Sequence, residues 1–250
     1  MIARPVRALS SLVVVLLAAA CTNSFEIPIE TPIRPKLDVA AFQRVLVAGF
    51  IAGGSEDVDG NLETTRLLRS QLRTKSQLRV IDTDVLPLVD VASEGRDSAG
   101  AATAPTPIKE EKDLEAYEHV FANVDYWKKV GEEYQQPLIV TGTVMFTPLQ
   151  RNSIVQREQE VYDSFGRRRV VPVRTYMERK GFSLDGRFIF IDGRSGATLH
   201  SESFGEQILY NANQTTPALS SYFELMDRLI PTFLSTLSSQ KIKGTRILLQ

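Results

Sequence analysis

The chain has 250 residues, with 29 basic and 30 acidic side chains, 43% apolar residues, two histidines and one cysteine. A charge this close to balance lacks the basic excess common in nucleic-acid-binding domains, so no nucleic acid is expected as a partner. A single cysteine excludes a disulfide framework, and the apolar share suffices for one domain with an ordinary core.

Arg4 and Arg7 precede an apolar run from Leu9 to Leu17, and Ala18, Ala19 and Ala20 then lead to Cys21. Charge, a short apolar stretch and small residues in that order are the layout of a secretory signal, so residues 1–20 read as a signal peptide. The run falls short of the roughly 20 apolar residues that span a bilayer. Cys21 at this place resembles the lipobox of bacterial lipoproteins, where the sulfur receives diacylglycerol. Ala18 departs from the Leu usual there, and Ala18-x-Ala20 also suits an ordinary signal peptidase, which leaves soluble release open. Two or three acyl chains on Cys21 imply permanent membrane attachment. By the same resemblance, Thr22 in place of Asp implies the outer membrane, with the domain on its periplasmic face. Loss of residues 1–20 removes two arginines and no acid, leaving 27 basic against 30 acidic residues, a net charge of −3.

Residues 21–41 carry Pro28, Pro32 and Pro35 with little periodicity and read as a semi-rigid tether. Residues 42–250 read as a single globular α/β domain. The unbroken apolar run from Arg44 to Phe50 suits a strand buried on both faces. The acidic loop from Gly53 to Gly60 fails as a phosphate cradle, because no Lys-Ser/Thr follows its glycines. It fails as a calcium loop too, with Leu62 and Leu68 where Gly and Glu are needed. It is a turn, with Asn61 expected to cap a helix bearing Leu62, Thr65, Leu68 and Leu72. Leu78 to Asp82 is a short strand.

Residues 92–112 lack apolar periodicity and read as a mobile loop. Asp113 is expected to cap one helix reaching Tyr134, with Leu114, Tyr117, Phe121, Val124, Trp127 and Val130 on one side. A buried strand follows from Pro137 to Val144, in which Gly142 marks a bulge or a close backbone approach. Residues 146–181 form a hairpin insertion that turns at Asp163-Ser164-Phe165-Gly166. Phe182 to Ile191 pairs with Ala197 to Glu206 across a Gly-containing turn. Thr215-Thr216-Pro217 opens a last helix that Pro231 should kink, and Arg246 to Leu249 adds a short edge strand.

No catalytic constellation emerges. His119 and His200 lie on a helix and a strand, without a HExxH motif or a nearby cysteine. Ser195 sits in a hairpin turn rather than at a strand-to-helix elbow. Glu110-Glu111 and Glu132-Glu133 read as solvated charge. Neither enzyme activity, nor a cofactor, nor a metal is expected.

The element order is βαβαβ, a long hairpin insertion, then ββα. Together with Arg44 to Phe50, Leu78-Arg79-Val80-Ile81-Asp82, Tyr126 to Tyr134 leading into Leu138 to Gly142, and the turn Ile191 to Ala197, it resembles a family of small α/β envelope domains. These are the curli secretion channels (CsgG-like), the outer-membrane activators of penicillin-binding proteins (LpoB-like) and the amino-terminal domain of TolB-like proteins. The resemblance covers roughly residues 44–240 and implies a mixed sheet of about five strands flanked by three helices. It also implies a non-catalytic role in envelope assembly, either through a protein partner or through self-oligomerisation into an export channel.

The insertion bears on that choice. A lipid-facing strand needs 9 to 11 residues with apolar positions outward, yet both faces of the arm from Ser153 to Asp163 carry charge at its middle. A twisted hairpin in water is therefore expected, with Phe165 at its tip and Arg167, Arg168 and Arg169 beside it as contacts for a protein partner or an anionic envelope polymer. A solvated arm with no partner remains open.

Overall fold

A computed structural model describes residues 24–97, 108–162, 164–211, 214 and 216–249. In chain order the strands are β1 (Ser24–Ile33), β2 (Arg44–Gly54), β3 (Arg79–Val80), β4 (Leu138–Tyr162), β5 (Arg168–Asp192), β6 (Thr198–Asn211) and β7 (Gln240–Leu249). The helices are α1 (Gly60–Lys75), α2 (Leu88–Asp97), α3 (Glu111–Glu115), α4 (Glu118–Ala122), α5 (Val124–Glu133) and α6 (Ala218–Leu237). Two compact units result, one spanning Lys36–Ser238 and the other made of the segments on either side of it.

The larger unit is a mixed sheet in the order β3-β2-β4-β5-β6, with β2 parallel to β3 and β4 and the remaining pairs antiparallel. The mixed α/β sheet expected from the sequence is present, with more and shorter helices than the three expected. Because β2 and the first part of β4 are apolar on both faces, each face needs a helical cover. On one side α1 and α6 bury Val45, Val47, Phe50, Val140 and Val144. Helices α2 to α5 bury Leu46, Ala48, Ile51, Ile139 and Ile191 on the other. Phe188 centres an aromatic cluster, with ring centroids 4.4 Å from Phe204, 5.0 Å from Phe233 and 6.1 Å from Phe50.

Ala48 is an extra residue: the β2–β4 register jumps between Val47 and Gly49. The insertion reverses which parity faces which helical layer, so Val47 and Phe50 share a side. Asn61 serves this bulge, its Oδ1 accepting from the Phe50 N–H at 2.7 Å. The helix cap is instead Asp59, which accepts from the Leu62 N–H at 3.0 Å. Across the sheet Gly142 has φ +150°, and a Cβ there would lie 1.8 Å from the Arg187 carbonyl oxygen, so the close backbone approach is real.

Four further elements depart from expectation. The apolar stripe from Leu114 to Val130 spans α3, α4 and α5 instead of one helix. Asp113 lies one turn inside α3, accepting from the Lys109 and Glu110 N–H groups at 2.9 Å, while Asn123 caps α5 by accepting from Tyr126. The supposed mobile loop begins as helix α2, with Ala92 buried, and Ile108 accepts from the Gly54 N–H at 2.9 Å; residues 98–107 lie outside the described residues. Finally, α6 starts after Pro217 without a side-chain cap and runs through Pro231.

The second unit corrects the reading of the chain ends. The segment expected to be an irregular tether contains β1, which pairs antiparallel with β7 from Ser24–Leu249 to Ile33–Gln240. The C-terminal strand is therefore not an edge of the main sheet.

Candidate functional site

Strands β4 and β5 stay in one uninterrupted antiparallel register, from Leu138 opposite Asp192 to Tyr162 opposite Arg168. Their neighbours end sooner: β2 leaves β4 after Phe146, and β6 leaves β5 at Arg179. Residues 152–162 and 168–178 consequently form a two-stranded arm with no third strand among the described residues, about 36 Å long at ~3.3 Å per residue. The hairpin expected between residues 146 and 181 is thus a continuation of the central strands. Pro172 in β5 lacks an N–H and can stand in a ladder only where its nitrogen faces outward. It removes a donor from that open edge.

Alternation sorts the arm's side chains. One face holds Ile154 opposite Tyr176, Gln156 opposite Arg174, Glu160 opposite Val170 and Tyr162 opposite Arg168. The other holds Val155 opposite Thr175, Arg157 opposite Val173, Gln159 opposite Val171 and Val161 opposite Arg169. The first face is the more open: Ile154 is 71% exposed, Tyr162 66%, Tyr176 64% and Val170 51%. Phe165, in the turn, is 81% exposed. Val171, Val173 and Met177, which looked from the sequence like the better apolar face, are only partly exposed.

The arginine triplet does not form a single patch. Arg167 lies over the Phe165 ring, 5.4 Å from its centroid, in a cation–π arrangement. Arg168 bridges to Glu160 at 2.5 Å on the face that carries Tyr162. Arg169 points to the opposite face, beside Val161. The contiguous basic run is divided by strand geometry into three environments. What sequence reasoning missed was the row Ile154, Tyr176, Tyr162 and Val170; its signal is the parity match between two strands, which only the register supplies.

A second concave region lies elsewhere in the larger unit. A groove of about 560 Å³ opens between α3, α4 and the sheet, lined in part by Glu111, Glu115, Asp185, Arg187 and Ser203. Arg187 bridges to Glu118 at 2.5 Å. Burial pushes the Asp185 carboxyl up from its ordinary range; the Ser183 hydroxyl opposes the rise and Glu111 adds to it. Among the described residues, no group of three His, Cys, Asp or Glu side chains could hold a metal ion. His119 is engaged by the Ala116 and Ala92 carbonyl oxygens, and His200 packs beside Phe190 near Glu202. Ser195 accepts from the Ala197 N–H within its turn. Cys21 lies outside the described residues, and no described helix is long and apolar enough to cross a membrane.

No protein-family model matches the chain, and no curated protein matches it. Among solved structures, lipoprotein GNA1162 from Neisseria meningitidis aligns at 13% identity over 76% of this chain and 97% of its own, with a TM-score of 0.34. The LpoB C-terminal domain from Salmonella enterica aligns at 9% identity over 68% and 87%, with a TM-score of 0.34. The PelC dodecamer from Paraburkholderia phytofirmans aligns at 14% identity over 85% and 98%, with a TM-score of 0.35. TM-scores below 0.5 fix neither activity nor partner, so the functional reading rests on this chain's own residues.

Proposed function

We propose that the protein is a non-catalytic envelope lipoprotein, anchored through Cys21 to the outer membrane, that uses the β4–β5 arm to engage another envelope protein. The observation that carries this reading is the exposed apolar row along the arm, with Phe165 and Tyr162 at its tip and Ile154 opposite Tyr176 near its base, all standing in solvent among arginines. Aromatic and arginine side chains are the enriched components of protein interfaces and supply most of their hot spots. Exposed large apolar groups concentrated on one projecting element mark an interaction site more strongly than the same groups scattered singly. A two-stranded ribbon is marginally stable by itself in water, so a partner that covers one face also stabilises the arm.

The test is photo-crosslinking in intact envelopes. A photoreactive residue replacing Phe165 or Tyr176 should trap a specific protein, whereas the same residue at exposed Leu62 on α1 should not. Equal or absent adducts at all three positions would overturn the arm as the contact. The anchor is tested separately: Cys21→Ser should abolish fatty-acid labelling and membrane retention, and equal label in wild type and mutant would sink that part.

Membership of an oligomeric export channel is the competing reading. Charged or amide side chains stand at mid-arm on both faces, with Gln156, Glu158 and Arg174 on one and Arg157 and Gln159 on the other. A basic side chain at the bilayer midplane costs about 2–4 kcal/mol, which disfavours an arm that spans lipid. A large ring on detergent extraction would favour the channel instead.

A further inference from the structure

The β1–β7 ribbon has two chemically different faces. Opposed residues in an antiparallel pair share a face, so Ile27, Ile29, Thr31 and Ile33 lie on one side with Arg246, Gly244, Ile242 and Gln240, and Glu26, Pro28, Glu30 and Pro32 lie on the other with Ile247, Thr245, Lys243 and Lys241. On the polar side Lys241 bridges to Glu30 at 3.0 Å. Ile27, Ile29 and Ile33 remain 43%, 40% and 44% exposed. Two strands isolated from any larger sheet are marginal in water, and leaving three isoleucines open makes this pair more so.

We propose that a lipid surface covers this face: the ribbon lies on the bilayer with Ile27, Ile29 and Ile33 in the interfacial layer and its charged face toward water. This rests on the reading of Cys21 as the anchor. Three residues carry the chain from Cys21 to Ser24, the first residue of β1, and such a span reaches at most about 11 Å. The Ser24 end of the ribbon therefore stays within about 11 Å of Cys21, at the surface of any membrane to which Cys21 is attached.

A second copy fits less well. One ribbon face measures about 33 Å by 10 Å, or roughly 330 Å², from the rise per residue and the spacing between strands. A stable protein interface needs about 800 Å² per partner. Pairing edge to edge is opposed by Pro28 and Pro32, which remove donors from β1. A bilayer to which the chain is already fastened needs neither area nor edge, because attachment keeps one end of the ribbon at the surface and raises the local concentration of lipid beside it.

The test keeps anchor and ribbon apart. The full mature chain made without its leader has Cys21 as its single thiol, which couples to a maleimide headgroup in vesicles of phosphatidylethanolamine and phosphatidylglycerol. Attachment then does not depend on acylation in the cell. With brominated acyl chains as quenchers, fluorescence is compared for Ile27→Trp, Ile29→Trp and Glu30→Trp after subtracting the parent chain, whose one tryptophan, Trp127, is fully buried. The expected result is at least twofold quenching at positions 27 and 29 and little at 30, a period of two along the strand. Equal quenching at all three positions, or none, overturns the proposal. A blue shift of the Ile29→Trp emission that grows with protein concentration in the absence of vesicles also overturns it, in favour of a second copy. Failure of the anchor itself would show only in the fatty-acid labelling of Cys21.

Discussion

The inner and outer parts of the β4–β5 hairpin share one register and one pair of strands, yet they are held together by different forces. From Leu138 to Phe146 every residue of β4 is buried, with helices on both faces. Beyond Asn152 most residues are exposed, and among the described residues each strand pairs only with the other. Backbone pairing is the same throughout, so what separates a structural core from an adaptable arm is side-chain burial. The inner part should therefore respond to mutation in stability, and the outer part in binding.

The largest effect is expected from Phe188→Ala at the centre of the aromatic cluster, which should cost about 3–5 kcal/mol, or on the order of 10 °C in melting temperature. A loss below about 3 °C would show that the cluster relaxes around the cavity. Gly142→Ala should follow, at about 2–4 kcal/mol, because the new Cβ meets the Arg187 carbonyl on a backbone already at positive φ. A melting temperature within 2 °C of the parent would mean that the two strands can part there without penalty.

A smaller effect tests the edge of the sheet. Burial raises the Glu202 carboxyl, but hydrogen bonds from Lys36 and Thr236 and the Lys36 charge more than reverse this, leaving it below its ordinary value. Its folded-state affinity for a proton is thus lower than in the unfolded chain. The stabilisation is present in full above the ordinary carboxylate range and is lost as pH falls from there through the lowered folded-state value. Glu202→Gln should lower stability by about 1 kcal/mol at pH 7, and thermal melts of mutant and parent should converge toward pH 3. A gap that persists at pH 3 would mean that packing, not charge, is responsible.

The smallest thermal effect, and the largest functional one, belongs to the arm. Replacing residues 152–178 by an Asn-Gly turn should change the melting temperature by less than about 3 °C while abolishing complementation of a deletion strain at normal protein abundance. Tyr176→Ala alone should shift stability by no more than about 0.5 kcal/mol. A large thermal loss from the excision would show that the arm packs on something and belongs with the core.

Much of the inner region is legible in the sequence, because burial on two faces leaves an apolar run such as Val45 to Val47 that has few other meanings. The arm's existence is legible too, from alternation and a Gly-containing turn. Its working surface is not, because Ile154 and Tyr176 come together only through a register fixed outside them. The breaks between α3, α4 and α5 were hidden by an apolar stripe that keeps helical spacing across them, although Asn123 followed by Asp125 is a cap signal in its own right. Asn61 looked like a cap because it precedes a helix, whereas the bulge that claims its side chain was not visible. Strands β1 and β7 stand more than 200 residues apart, and nothing local announces that they pair.

Where the chain enters the larger unit bears on how that unit can be re-cut. Leu37 donates its N–H to the Thr236 carbonyl at 3.0 Å, and Lys36 pairs with Glu202. The incoming backbone thus runs beside the last turn of α6, one residue before its end at Leu237. A polypeptide whose entry and exit are neighbours tolerates circular permutation. Joining Ser238 to Lys36 through a short glycine linker and opening new termini between Ser164 and Gly166 would leave every sheet pairing of this unit in place. It would also put both free ends at the tip of the arm, so that a domain fused there would block the proposed contact without touching the core.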